Sequence, residues 1–315
     1  MTPRDIFLAL SVAVVWGLTF IAIKVGVGET SPLILSALRF VFAAIPCIFF
    51  IRPPRAPAWI VVAYGLLLGV GQFGLLFVAI HQGFPVGLAS LVVMSQVFFT
   101  IGLARAFLGE APRRPQLIGA GLGLGGMALI GSVRLAGSSF EPFALVVLAA
   151  FFWGSANTLA KTLGRVHMFA FTAWSSLAPP IPLLLLSLSL DGPGPLLALA
   201  HPSGRLVGSV VVVAYAGTLF GYGVWARLLA RYPAATVTPF ALLVPVVGMI
   251  AGALIFREPL GGIELAGGVL VMAGLALSVL GGAPRRSAAV PLAVRGSDRD
   301  GRGTQVIHAR YQGDP

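Results

Sequence analysis

Ten apolar runs, each close to twenty residues long, govern what this chain can fold into: 6–27, 32–51, 58–80, 86–108, 115–133, 142–163, 168–190, 206–229, 235–256 and 262–281. A bilayer core takes about 20 apolar residues per helix. Pro32, Pro57, Pro85, Pro115, Pro142 and Pro233 stand at or beside run starts, where a helix tolerates proline. Barrel strands would be shorter and alternate in polarity. The expected fold class is therefore an all-α membrane protein with ten transmembrane helices. Only 10% of residues are charged and 57% are hydrophobic, against roughly 25% charged in soluble chains. That excludes both a water-soluble enzyme and a disordered chain.

Loop charge predicts orientation. With the N-terminus inside, the inner ends carry Arg4, Arg52, Arg55, Arg105, Arg113, Arg114, Lys161, Arg165, Arg227, Arg231, Arg285 and Arg286. The outer ends carry only Lys24, Arg134, Arg205 and Arg257. This bias predicts both termini in the cytoplasm. The net charge of +11 is read as loops facing anionic lipid, not as nucleic-acid binding. Residues 283–315 turn polar and basic, and are expected to form a disordered cytoplasmic tail. A single cysteine, Cys47, leaves no disulfide framework.

The runs repeat. Pro85 to Glu110 matches Pro233 to Glu258 at an offset of 148, and Gly119 and Gly126 match Gly267 and Gly274 at the same offset. Trp16-Gly17 and Lys24 match Trp153-Gly154 and Lys161 at an offset of 137. Five spans is an odd number, so the second copy enters from the opposite side. The expected organisation is a first repeat over 1–134 and an inverted second repeat over 135–282. Inverted repeats are a mark of secondary transporters.

Polar groups in mid-span face a cavity or another helix. They are Asn157, the only asparagine, with Gln96, Gln72 and Thr19, joined by Trp16, Tyr222 and Trp225. Lys24 and Lys161, near opposite ends of their spans, and the deeper Arg39 read as gate or structural charges. Glu29, Glu110, Glu141, Asp191 and Glu258 sit at loop level. With no acid at a helix centre, the expected transport is facilitated, or coupled without a central carboxylate. Amides, hydroxyls and aromatic faces suit a neutral or zwitterionic solute. His81, His167, His201 and His308 show no metal-ligand spacing, and no nucleophile–base set lies inside the membrane. No enzyme activity, cofactor or metal is expected. Pro179, Pro180 and Pro182 are expected to kink the seventh helix, and Pro239 and Pro245 to bend the ninth.

The stretches VVWGLTFIAIKVG, PLILSALRF, GLASLV, QVFFT, GYGVW and LLVPVVG resemble the EamA family of the drug/metabolite transporter superfamily. Trp16-Gly17, Leu38-Arg39-Phe40 and Gly109-Glu110 carry the family likeness. The longer runs in spans 4, 8 and 9 are most similar to bacterial exporters of O-acetylserine and cysteine. The resemblance implies a central cavity walled by helices of both repeats, with Asn157, Gln96, Trp16, Thr19, Gln72, Tyr222 and Trp225 binding substrate. Asn157 and Gln96 match polar positions of those exporters and would take the carboxylate or amide-like groups. Met94 and Ser95 depart from that pattern. The implied partners are a small amino-acid-like substrate and membrane lipid, in a monomer or homodimer of the bacterial inner membrane. The alternatives are broad efflux of aromatic amino acids or drugs, and a non-transporting membrane scaffold or sensor.

Overall fold

The computed structural model describes residues 1–136, 140–163, 166–232, 234–258 and 261–281. The expected tail, Arg165 and Pro233 lie outside them. Residues 1–283 form one compact unit. Its spans are α1 Pro3–Val27, α2 Pro32–Ile48, α3 Ala58–His81, α4 Val86–Leu108, α5 Arg114–Leu135, α6 Phe140–Lys161, α7 Met168–Asp191, α8 Gly204–Arg231, α9 Thr238–Phe256 and α10 Gly262–Gly281. In lipid every backbone N–H must bond within its own segment, which helices achieve. Nine of the described helices are long and apolar enough to cross a membrane, and α2 is shorter.

The short α2 corrects the run at 32–51. Pro46 lies in its last turn, where it supplies no N–H. The chain leaves the helix at Phe49, and the Trp174 indole donates to the Ile51 carbonyl at 3.0 Å. The expected kink in α7 is present as a non-helical turn between Ser175 and Pro180. In α9, Pro239 falls in an opening 3-10 stretch, Thr238–Leu242. Two further irregularities have no proline to announce them. Leu67–Gly74 of α3 and Val212–Phe220 of α8 widen to π-helical geometry. They occupy corresponding places in the two repeats. Single π turns of this kind gather at functional sites.

Side-chain contacts sort the helix ends onto two levels. On the face carrying Met1, the backbone N–H of Thr2 donates to Tyr232 Oη at 3.3 Å, and Lys161 meets Glu110. On the opposite face, Lys24 meets Glu258, Ser31 donates to Asp191 at 2.5 Å, Ser203 donates to Glu29 at 2.7 Å, and Arg134 pairs with Glu264. Ends of α1, α5, α7 and α9 thus share one level, as ten alternating spans require.

The repeats meet most closely where α5 crosses α10. A Cβ on Gly126 would sit 2.5 Å from the Gly267 carbonyl oxygen, and one on Gly267 would sit 2.7 Å from that of Gly126. Gly119 and Gly274 oppose each other in the same way, with 2.5 Å from a Gly119 Cβ to the Gly274 oxygen. Each glycine therefore faces the repeat equivalent of its neighbour, the signature of a two-fold relation. Backbones approach this closely only across small residues. Gly121 on the same helix meets nothing within 4 Å. Gly126→Ala is expected to lower stability by about 1–3 kcal/mol through overpacking, and Gly121→Ala by less than about 0.5 kcal/mol. Thermal unfolding of the two purified variants in one detergent checks this; equal midpoints would refute the seam.

Candidate functional site

A narrow cavity of about 70 Å³ lies between helices of both repeats. Trp16, Thr19, Phe20 and Ile23 of α1 form one side. Gln72 and Phe73 of α3, Arg39 of α2, and Gly217 and Tyr222 of α8 form another. Met94, Trp153 and Val244 close it from α4, α6 and α9. A smaller space of about 10 Å³ lies beyond Arg39, bounded by Thr172, Ser175 and Ser176 of α7 and by Thr218.

The two π segments build this wall. Widening frees carbonyls that side chains then use. The Trp16 indole N–H donates to the Gly217 carbonyl at 2.8 Å, and the Thr218 hydroxyl donates to the Val213 carbonyl at 3.0 Å. Trp16 packs on Tyr222 and Trp225, with ring centroids 5.5 and 5.2 Å apart. Trp225 thus backs the wall without lining it. Gln72 lies inside the other π segment, 2% exposed, and its Oε1 has no hydrogen-bond partner among the described residues.

Of the residues singled out from sequence, the structure brings Trp16, Thr19, Gln72, Tyr222 and Arg39 together on the cavity. Asn157 and Gln96 bond to each other instead. The Asn157 amide donates to Gln96 Oε1 at 2.7 Å and to Thr100 Oγ1 at 3.4 Å, which ties α6 to α4. Neither is among the lining residues. Met94 does face the cavity, whereas the buried Ser95 hydroxyl does not. No Asp or Glu is among the lining residues, and no three described His, Cys, Asp or Glu side chains cluster to hold a metal.

Lys24 and Lys161 each find a partner that sequence reasoning missed. Lys24 Nζ is 2.6 Å from Glu258, and Lys161 Nζ is 2.7 Å from Glu110. Each pair joins a lysine of one repeat to a glutamate of the other, on opposite faces. The signal was available: the lysines match each other, the glutamates match each other, and each pair falls at one membrane level. The glutamates are aimed by matching turns. Gly109 and Arg257 end α4 and α9 in left-handed backbone, with φ of 69° and 52°. Their N–H groups reach back to Ala104 and Gly252, again 148 residues apart. Glycine adopts this conformation freely, while an arginine there is strained by about 1 kcal/mol.

The two pairs differ in setting. Glu258 has 9% of its side chain exposed and also accepts from the N–H groups of Val86 and Gly87, at 3.1 and 3.3 Å. Lys24 further lies 4.4 Å from the centre of the Phe256 ring. Glu110 is 51% exposed. Glu258→Gln is expected to cost about 3 kcal/mol, because it strands a partly buried ammonium. Glu110→Gln is expected to cost less than about 1 kcal/mol, as at an exposed pair. Denaturation of both variants in the same detergent would expose an error if the order came out reversed.

Residues 4–132 and 142–280 each match the EamA-like transporter family. The chain is 41% identical over 297 residues to a protein of Salmonella typhimurium strain LT2 named a probable amino-acid metabolite efflux pump, covering 92% of this chain and 99% of that one. It is 40% identical over 288 residues to a protein of the same name in Escherichia coli K12, covering 89% and 96%. A solved crystal structure superposes with a TM-score of 0.60 at 18% identity, over 89% of this chain and 98% of the other. That likeness concerns the fold alone.

Proposed function

The chain belongs to the EamA-like transporter family, and from that premise we propose that it exports small amino acids and related metabolites across the bacterial inner membrane. O-acetylserine and cysteine are the first substrates to test. The observation that carries the reading is the cavity between repeats whose two faces are tied by reciprocal Lys–Glu pairs. The mechanism is alternating access. Rocking one repeat against the other loosens one pair while the other holds, so the cavity opens to one side at a time. The loop charges support an orientation with both termini inside.

With no carboxylate among its lining residues, the cavity has no evident proton-carrying group, and transport is read as facilitated or as exchange. A second reading has its own support: the wall is rich in aromatic rings, with Trp16, Phe20, Phe73, Trp153 and Tyr222, and Met94 stands where the resembled exporters carry a polar residue. That favours aromatic amino acids.

Counterflow in proteoliposomes separates these readings. Labelled O-acetylserine should exchange and be competed by cysteine, with no dependence on an imposed pH gradient. Competition by phenylalanine but not cysteine would shift the substrate to the aromatic class. Absence of exchange with either solute in folded protein would refute the exporter reading. Asn157→Ala is expected to retain exchange, because Asn157 bonds to Gln96 and Thr100 and is not among the lining residues; complete loss with normal folding would restore it to the binding site.

A further inference from the structure

Arg39 carries a full charge into the middle of α2, and it is 5% exposed. Its Nε–H donates to Thr218 Oγ1 at 3.2 Å. The guanidinium carbon lies 3.4 Å from the centre of the Phe73 ring and 5.5 Å from that of Phe40. Among the described residues it makes no ion pair, unlike Lys24, Lys161 and Arg134. Phe73 occupies a face of the guanidinium. The edge, where the donors other than Nε–H lie, has no hydrogen-bond acceptor among the described residues. A buried cation of this kind is costly until an anion meets it. A planar guanidinium edge matches a carboxylate through two parallel hydrogen bonds.

A second unpartnered group stands beside the same space. Gln72 Oε1 is buried without a partner, and Gln72 lines the cavity with Arg39. Such an oxygen accepts hydrogen bonds from an ammonium. The repeat adds a further observation. Carrying the offset of 137 from Arg39 reaches Ser176, so the second copy supplies a neutral hydroxyl where the first supplies a charge. The cavity has one charged pole, as a ligand with one carboxylate requires.

The geometry points to Arg39 and Gln72 as the two ends of an α-amino-acid receptor: the guanidinium takes the α-carboxylate and the amide oxygen takes the α-ammonium. This deepens the exporter reading and rests on it for the substrate class. It moves the carboxylate away from Asn157 and Gln96, whose amides already bond to each other.

The test is binding by the purified full-length protein, read from tryptophan fluorescence, since Trp16 and Trp153 line the cavity. The probes are O-acetylserine and its carboxamide, then phenylalanine, phenylalaninamide and 3-phenylpropionate. In the wild type a free amino acid should bind at least about tenfold tighter than its amide, as expected of hydrogen bonds to a charged group. In Arg39→Gln that ratio should fall towards one. In Gln72→Leu the acid-to-amide ratio should persist, while the advantage of phenylalanine over 3-phenylpropionate is lost. If Arg39→Gln does not yield folded protein, Arg39→Lys carries the test, because a point charge without the forked edge should lower the ratio several-fold.

Equal binding of acid and amide by the wild type would overturn the proposal. So would an unchanged ratio in the Arg39 variant, or no binding of any probe by folded protein. An acid preference in a protein that moves neither solute in liposomes would refute the exporter reading and leave the receptor standing. Counterflow with no acid preference would do the reverse.

Discussion

The close approach of α5 and α10 is the constraint on which the two-fold arrangement rests. Gly126 and Gly267 face each other, as do Gly119 and Gly274, so backbone meets backbone with no side chain between. In a bilayer no hydrophobic force pulls helices together, and close packing has to supply the association. The seam relates one repeat to the other through its own equivalent residues. Everything reciprocal in the molecule follows that relation: the matched π segments of α3 and α8, the matched turns after α4 and α9, and the Lys–Glu pairs that those turns aim.

Much of this order was legible in the sequence. The spans could be read from length and apolarity, because a helix in lipid must be apolar over its whole crossing. The inversion could be read from residue offsets and the odd span count. The chain has only two lysines, Lys24 and Lys161, and their matched positions marked them as a pair of related parts. Their partners were not read, because a glutamate at loop level looks the same whether it is solvated or bonded.

The cavity was only half legible, for a physical reason. A span that is apolar all round does not tell which side faces inward, so mid-span polar residues could be named but not sorted. Asn157 and Gln96 satisfy each other across α4 and α6, which removes them from the list of free groups. Among the described residues Arg39 has no ion pair and Gln72 Oε1 has no hydrogen-bond partner. The π segments were invisible for a different reason. An extra residue in a turn leaves an apolar run apolar, and no proline or charge marks the place.

Those segments have a mechanical consequence. A π turn holds one residue more than the α turn it replaces. Returning Leu67–Gly74 or Val212–Phe220 to α geometry would shift one residue along the helix and turn the far side by about 100°, without breaking it. Gln72 and Thr218 lie within the segments, so the direction of the orphan amide and the anchor of the Arg39 guanidinium both depend on that register. Each copy of the repeat thus contributes one segment whose register sets what the cavity wall presents. Such a rotation would leave the glycine seam between α5 and α10 untouched, because neither segment contributes to it.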